Sequence, residues 1–150
     1  MPDRTAIAAQ LTDLLGPDNV VTDETELQLS SIDRYRKYQD IHRVFVLPIP
    51  AAIAYATSAA DVAAVLRYAN QHGINVVPRT GRSATEGGLE TARPDSIVLD
   101  GSRMNRILDV DTYNLQATVE CGVCLQDLED HVRTLGLTTI FVTHDQEEAM

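Results

Sequence analysis

The stretch Val76-Val-Pro-Arg-Thr-Gly-Arg-Ser-Ala-Thr-Glu-Gly-Gly88 constrains this chain more than any other. The apolar run Ile74 to Val77 predicts a short strand, and Pro78 is expected to end it, because proline has no N–H to give to a ladder. Gly81, Gly87 and Gly88 follow, with Arg79, Arg82 and small hydroxyl residues between them. Glycines let backbone N–H groups turn toward an anion, and arginines add charge-assisted hydrogen bonds. A strand running into such a loop is a common way to hold a nucleotide pyrophosphate. A polar surface loop after a strand is the plainer alternative.

At 150 residues the chain has the size of one domain and can bury a core. Its net charge of −10 argues against nonspecific binding to nucleic acid or anionic lipid. A bound phosphate must then be held by local arginines and backbone donors, not by the overall field. No apolar run reaches the length of a membrane span, and the N-terminus lacks a signal-like pattern, so a cytoplasmic location is expected. Cys121 and Cys124 are spaced Cys-Gly-Val-Cys. The spacing suits a redox pair at the start of a helix, and a zinc site would need two more ligands, with His131 and His144 available but not at a finger's spacing; incidental small apolar residues are the expectation.

Along the chain, residues 4–15 predict an amphipathic helix with Ile7, Leu11, Leu14 and Leu15 on one face and Gly16-Pro17 as its stop. Asn19 to Thr22 reads as extended. Residues 23–44 read as a loop or partial helix, with Tyr35 and Tyr38 near an Arg34-Tyr-Arg-Lys37 cluster that is expected to be a solvated face. Val44 to Pro50 is apolar, and Ala54 to Thr57 suggests a strand. Ser58 should cap a helix to about His72, with Asp61 at its third position and Val62, Val65, Leu66 and Ala69 as the apolar stripe. Gly73 is the expected terminator and His72 a partner of the helix dipole. Ile74 to Val77 then completes a strand–helix–strand unit. Beyond the loop come a buried strand, Ser96 to Asp100, and two strands, Arg106 to Asp111 and Leu115 to Glu120, about a turn at Asp111 to Asn114. Leu125 to Leu135 predicts a helix with Leu125, Leu128, Val132 and Leu135 inward, and His131 on its polar side.

Read together, the segment from about Leu47 to Leu137 resembles the FAD-binding domain of the vanillyl-alcohol oxidase and p-cresol methylhydroxylase (PCMH) family, in its glycolate oxidase and D-lactate dehydrogenase-like branch. Four blocks match in order. Pro48 to Leu66 resembles a strand followed by a Ser-x-x-Asp-Val helix. Val77-Pro-Arg with Gly81, Ser83, Gly87 and Gly88 resembles the pyrophosphate loop. Ile97 to Asp100 with Ser102 to Leu108 resembles the next strand and its Met-Asn segment, and Ala117-Thr-Val-Glu-Cys-Gly-Val123 the strand and helix after it. The lead-in, Val20 to Asp23 and Asp40, is also similar.

The resemblance implies an α/β (α+β) fold, the N-terminal part of a PCMH-type FAD-binding domain. It implies FAD held by Pro78, Arg79, Thr80, Gly81, Arg82, Ser83, Gly87 and Gly88, with backbone groups on the pyrophosphate and Arg79 and Arg82 neutralising its charge. The family usually has glycine where Thr80 and Arg82 stand. Some relatives carry, at about the position of Ser83, a histidine bonded covalently to the flavin, so noncovalent FAD is expected here. The parent reaction would be oxidation of a small 2-hydroxy acid or alcohol, with hydride passing to FAD. The family's substrate domain and catalytic residues have no counterpart in these residues, so no catalytic residue is named and turnover by the chain alone is not expected.

After Leu137 the family pattern is expected to break. Ile140-Phe-Val-Thr-His-Asp-Gln-Glu-Glu-Ala-Met150 resembles the switch-histidine loop of ABC-transporter ATPases, with His144 as the switch residue, yet the chain has no Gly-x-x-x-x-Gly-Lys-Ser/Thr loop for a triphosphate. The expected organisation is a helical lead-in over 1–45, a partial FAD-binding domain over 46–137 and an ATPase-like appendage over 138–150, with a true flavoprotein segment as the alternative for the last. An ATP-binding transporter subunit and a non-catalytic, misassembled product remain as other functional readings. The last predicts exposed apolar surface and self-association.

Overall fold

The computed structural model describes residues 2–32, 47–85 and 87–137. The Arg34 to Lys37 cluster, Tyr35, Tyr38, Asp40, the beginning of the Val44 to Pro50 run, and the tail with His144 lie outside them. The chain forms two compact units, residues 1–104 and 105–150.

In the first unit, α1 (Arg4–Leu15) is capped by Asp3, whose carboxylate accepts from the Ala6 N–H at 2.8 Å, and it ends at Gly16. A 3-10 turn leads into β1 (Val20–Val21). The charged stretch after it is more ordered than its composition suggests: Asp23 caps α2 (Glu24–Ser30), and Leu27 is buried. Then come β2 (Ala52–Tyr55), α3 (Ala59–His72), β3 (Val76–Arg79) and β4 (Ile97–Asp100). The four strands form one sheet in the order β1-β2-β4-β3, with β1 antiparallel and the other pairs parallel. β2, α3 and β3 are thus a strand–helix–strand crossover with β4 inserted between its strands.

Both faces of this sheet are covered, and side-chain size decides how. Ala52, Ala54 and Ala56 alternate with Ile53 and Tyr55 along β2. The alanine face, with Ile97 and Leu99 of β4, packs on Ile7 and Leu11 of α1 and Val65 and Ala69 of α3. Small residues on the strand let the two helices come close. On the other face Ile53 and Val98 pack with Leu27 of α2. This two-sided burial is why β4 is buried at every position. The apolar stripes read from sequence are wider than the buried ones: Leu14 and Leu66 lie outside the packed set and are exposed.

Pro78 does not end its strand. β3 pairs through Pro78 as far as Arg79, opposite Leu99 and Asp100 of β4. Among the described residues β3 has a neighbour on one side only, so a proline can sit in it without removing a ladder bond.

The second unit contains a hairpin of β5 (Ile107–Asp111) and β6 (Gln116–Val119), followed by α4 (Leu125–Thr134). Asp111 builds the turn, its Oδ1 accepting from the Tyr113 and Asn114 N–H groups at 3.0 and 2.9 Å. The expected inward stripe of α4 is only partly inward. Val132 is buried and Leu128 half-buried, whereas Leu125 and Leu135 are exposed.

Candidate functional site

Parallel strands deliver their C-terminal residues to one edge of a sheet. Here β2, β4 and β3 end at Tyr55, Asp100 and Arg79, and the register sets Asp100 opposite both of the others. The Arg79 Nε donates to the Asp100 Oδ2 at 2.6 Å, with both side chains almost wholly buried. The Asp100 Oδ1 accepts from the Ser102 N–H at 2.9 Å, in the turn out of the strand. Burial alone would raise the Asp100 pKa, but the hydrogen bonds from Ser102 and the Arg79 guanidinium outweigh it and hold the carboxyl below its ordinary value. Asp100 is therefore a carboxylate at neutral pH. The Arg79 Nη2 is also buried, and it has no hydrogen-bond partner among the described residues.

Two more guanidiniums gather at this edge. The Arg82 Nη2 lies 3.8 Å from the Asp100 Oδ2 and donates to the Tyr55 hydroxyl at 3.4 Å. Arg103 stacks over the Tyr55 ring, 4.3 Å from its centre, and its Nη1 donates to the Asp18 carbonyl and the Asn19 Oδ1. Arg79 and Arg82 thus face one buried carboxylate, and Arg103 adds a third guanidinium beside Tyr55, in a chain whose net charge is −10.

The loop leaves from the end of β3. Thr80, Gly81, Arg82, Ser83 and Gly88 are exposed, as is Pro78 on the edge strand, while Gly87 is half-buried. A Cβ added to Gly81 would meet nothing within 4 Å, so the space on that side of its backbone is open. Gly87 has φ +85°, a conformation that favours glycine. Downstream, the Thr91 hydroxyl donates to the Pro48 carbonyl and its N–H to the Ser31 carbonyl at 3.2 Å, which ties the far end of the loop to the fold.

Of the residues singled out from sequence, the structure brings Arg79 and Arg82 together, but differently. Arg79 is committed to an internal ion pair, whereas Arg82 is over half exposed. Sequence reading missed Asp100, Tyr55 and Arg103. The one available signal was an acidic residue closing a buried apolar strand just before Gly101. Cys121 and Cys124 are both exposed. Cys124 stands at the N-cap of α4. Among the described residues no three His, Cys, Asp or Glu side chains are grouped as for a metal ion. His72 lies in the last turn of α3, its ring 4.8 Å from that of Tyr68.

The model of the FAD binding domain family matches residues 50–149. The uncharacterized FAD-linked oxidoreductase YgcU of Escherichia coli K12 is 54% identical over 136 residues, 91% of this chain and 28% of that protein. A D-2-hydroxyglutarate dehydrogenase of Xanthomonas citri pv. viticola is 37% identical over 90 residues, 60% of this chain and 19% of that protein. Among solved structures, substrate-bound p-cresol methylhydroxylase superposes with a TM-score of 0.73 at 24% identity, over 89% of this chain and 25% of that one. The chain thus spans under a third of the length of these proteins. The ATPase reading of the tail is not supported, because the flavoprotein family match runs through that segment to residue 149. By that match and by its fold, the chain belongs to the FAD binding domain family of FAD-linked oxidoreductases, with a PCMH-type α/β architecture.

Proposed function

We propose that the chain holds FAD noncovalently at the loop after β3, and that it serves an oxidoreductase acting on a small 2-hydroxy acid or alcohol. The observation that carries the site is the cluster at the sheet's C-terminal edge, where Arg79, Arg82 and Arg103 outnumber Asp100 beside an open glycine backbone. Ligands of open α/β sheets bind outside the carboxyl ends of the strands. Backbone groups of Arg79 to Ser83, with Gly87 and Gly88, are the pyrophosphate holders, with Pro78 and Thr80 setting the direction in which the loop leaves β3. The buried, unpartnered Arg79 Nη2 and the space at Gly81 fit an anionic ligand. FAD, when bound, supplies the hydride acceptor. Ser83 offers no ring nitrogen for a covalent flavin bond, which supports a noncovalent cofactor. The substrate class rests on the likeness to the D-2-hydroxyglutarate dehydrogenase.

In this reading residues 1–45 lead into a partial FAD-binding domain that begins at about residue 46 and includes the segment after Leu137. No described helix is long and apolar enough to cross a membrane. We take the cytoplasm as the place of action.

Titration of the purified protein with FAD, followed by flavin fluorescence with ATP in parallel, tests the site. Saturable FAD binding without ATP binding is expected. Gly81→Val should abolish the FAD signal with little change in circular dichroism or Tm, because the new side chain projects into open space. Folded wild-type protein that ignores FAD, or Gly81→Val protein that binds it normally, would overturn the loop assignment.

A further inference from the structure

Arg82 combines a strained backbone with a loosely held charge. Its φ is +55°, in the left-handed region that a side chain with a Cβ rarely adopts. Strain of this kind persists when surrounding contacts impose it, and it concentrates at ligand sites. The contact here is the return of the guanidinium over the strand ends to the Tyr55 hydroxyl at 3.4 Å and the Asp100 Oδ2 at 3.8 Å. Neither holds it firmly. Asp100 already has Arg79 on the same oxygen at 2.6 Å and the Ser102 N–H on the other. The Arg82 side chain remains 57% exposed. The buried Arg79 cannot move toward a ligand without uncovering Asp100, and Arg103 is tied to Asp18, Asn19 and the Tyr55 face. Arg82 is therefore the guanidinium of the cluster that can transfer to an arriving anion at small cost.

We infer that Arg82 determines the site's preference for a diphosphate, leaving its loose contacts with Asp100 and Tyr55 to pair with phosphate oxygen, and that the left-handed backbone is what aims it there. This rests on the reading of the loop as a pyrophosphate holder. A phosphate oxygen would give Arg82 a short, charge-assisted partner in place of two long contacts. Glycine at this position would suit the backbone better and lose that partner.

The test compares wild type with Arg82→Gly by displacement of bound FAD with ADP and with riboflavin, alongside thermal unfolding. Arg82→Gly should weaken FAD and ADP about tenfold. Riboflavin, which lacks phosphate, should compete as before. Relief of the left-handed backbone should raise Tm by about 2–4 °C. If wild type binds FAD but the variant keeps its affinity for FAD and ADP, the assignment to Arg82 fails while the loop site stands. A parallel loss of riboflavin affinity, or a lower Tm, would make Arg82 a structural residue and also overturn the inference. If wild type binds neither FAD nor ADP, the loop reading fails and this inference with it.

Discussion

Asp100 sits wholly buried between two strand ends, its Oδ2 on the Arg79 guanidinium and its Oδ1 on the Ser102 N–H. Asp100→Asn would leave the Arg79 guanidinium in the interior with no counter-ion. Breaking a buried pair in this way costs about 3–5 kcal/mol, so chemical unfolding should show a loss of that order. The pH dependence has a definite sign. The folded-state pKa of Asp100 lies below the unfolded one, because the Ser102 hydrogen bonds and Arg79 outweigh the burial that pushes it up. Its contribution is therefore complete above the unfolded value of about 4 and disappears as pH falls through the lower folded value. Wild type and Asp100→Asn should differ most near neutrality and converge in acid. Curves that stay parallel below pH of about 4 would show that Asp100 is not the linked group. The loop residues were legible in sequence because glycine, proline and arginine act locally on the chain. Asp100 as a partner of Arg79 was not, since the two are 21 positions apart and meet only through strand register.

Among the elements, α3 was the most legible, because its end signals are local side-chain chemistry. The Ser58 Oγ accepts from the Asp61 N–H at 3.2 Å, and Gly73 closes the helix at φ +64° with its N–H on the Ala69 and Asn70 carbonyls. One detail differs from the usual reciprocal box: the Asp61 carboxylate reaches past the cap to the Thr57 N–H and hydroxyl at 2.9 and 2.7 Å. The Thr57 contacts, offsetting a small burial effect, help depress the Asp61 pKa. Ser58→Ala should lower stability by about 1 kcal/mol, read as a reduced denaturant midpoint with an unchanged slope. The loss should stay modest because Asp61 keeps Thr57. A loss several times larger would mean that Ser58 has a further role. Strand ends were less legible. Pro78 reads as a stop in a one-dimensional chain, and only the edge position of β3 makes it admissible. The stripe of α4 misled in the opposite sense, because periodicity says which residues share a face and not whether anything covers that face.

At the scale of the molecule, apolar exposure is concentrated in the second unit. Leu108, Tyr113, Leu115, Leu125 and Leu135 are all exposed, and the alternating strand β6 is exposed at every position. The first unit buries both faces of its sheet, so the contrast is not one of composition. The described part of this unit, a hairpin and one helix, has little with which to cover its own apolar side chains. We therefore expect self-association through these residues. A net charge of −10 opposes it by repulsion, so association should strengthen as salt screens the charge. The double variant Leu125→Glu/Leu135→Lys tests this with the net charge unchanged. Both side chains are already substantially exposed, so their replacement removes little internal packing. Glutamate at the start of α4 and lysine at its end also suit the helix dipole. Light scattering behind size-exclusion chromatography should show the wild-type mass rising with protein concentration and salt, and the variant staying monomeric with its FAD affinity intact. A wild type that remains monomeric throughout would refute self-association. Equal association of both proteins would place the contact elsewhere than on α4.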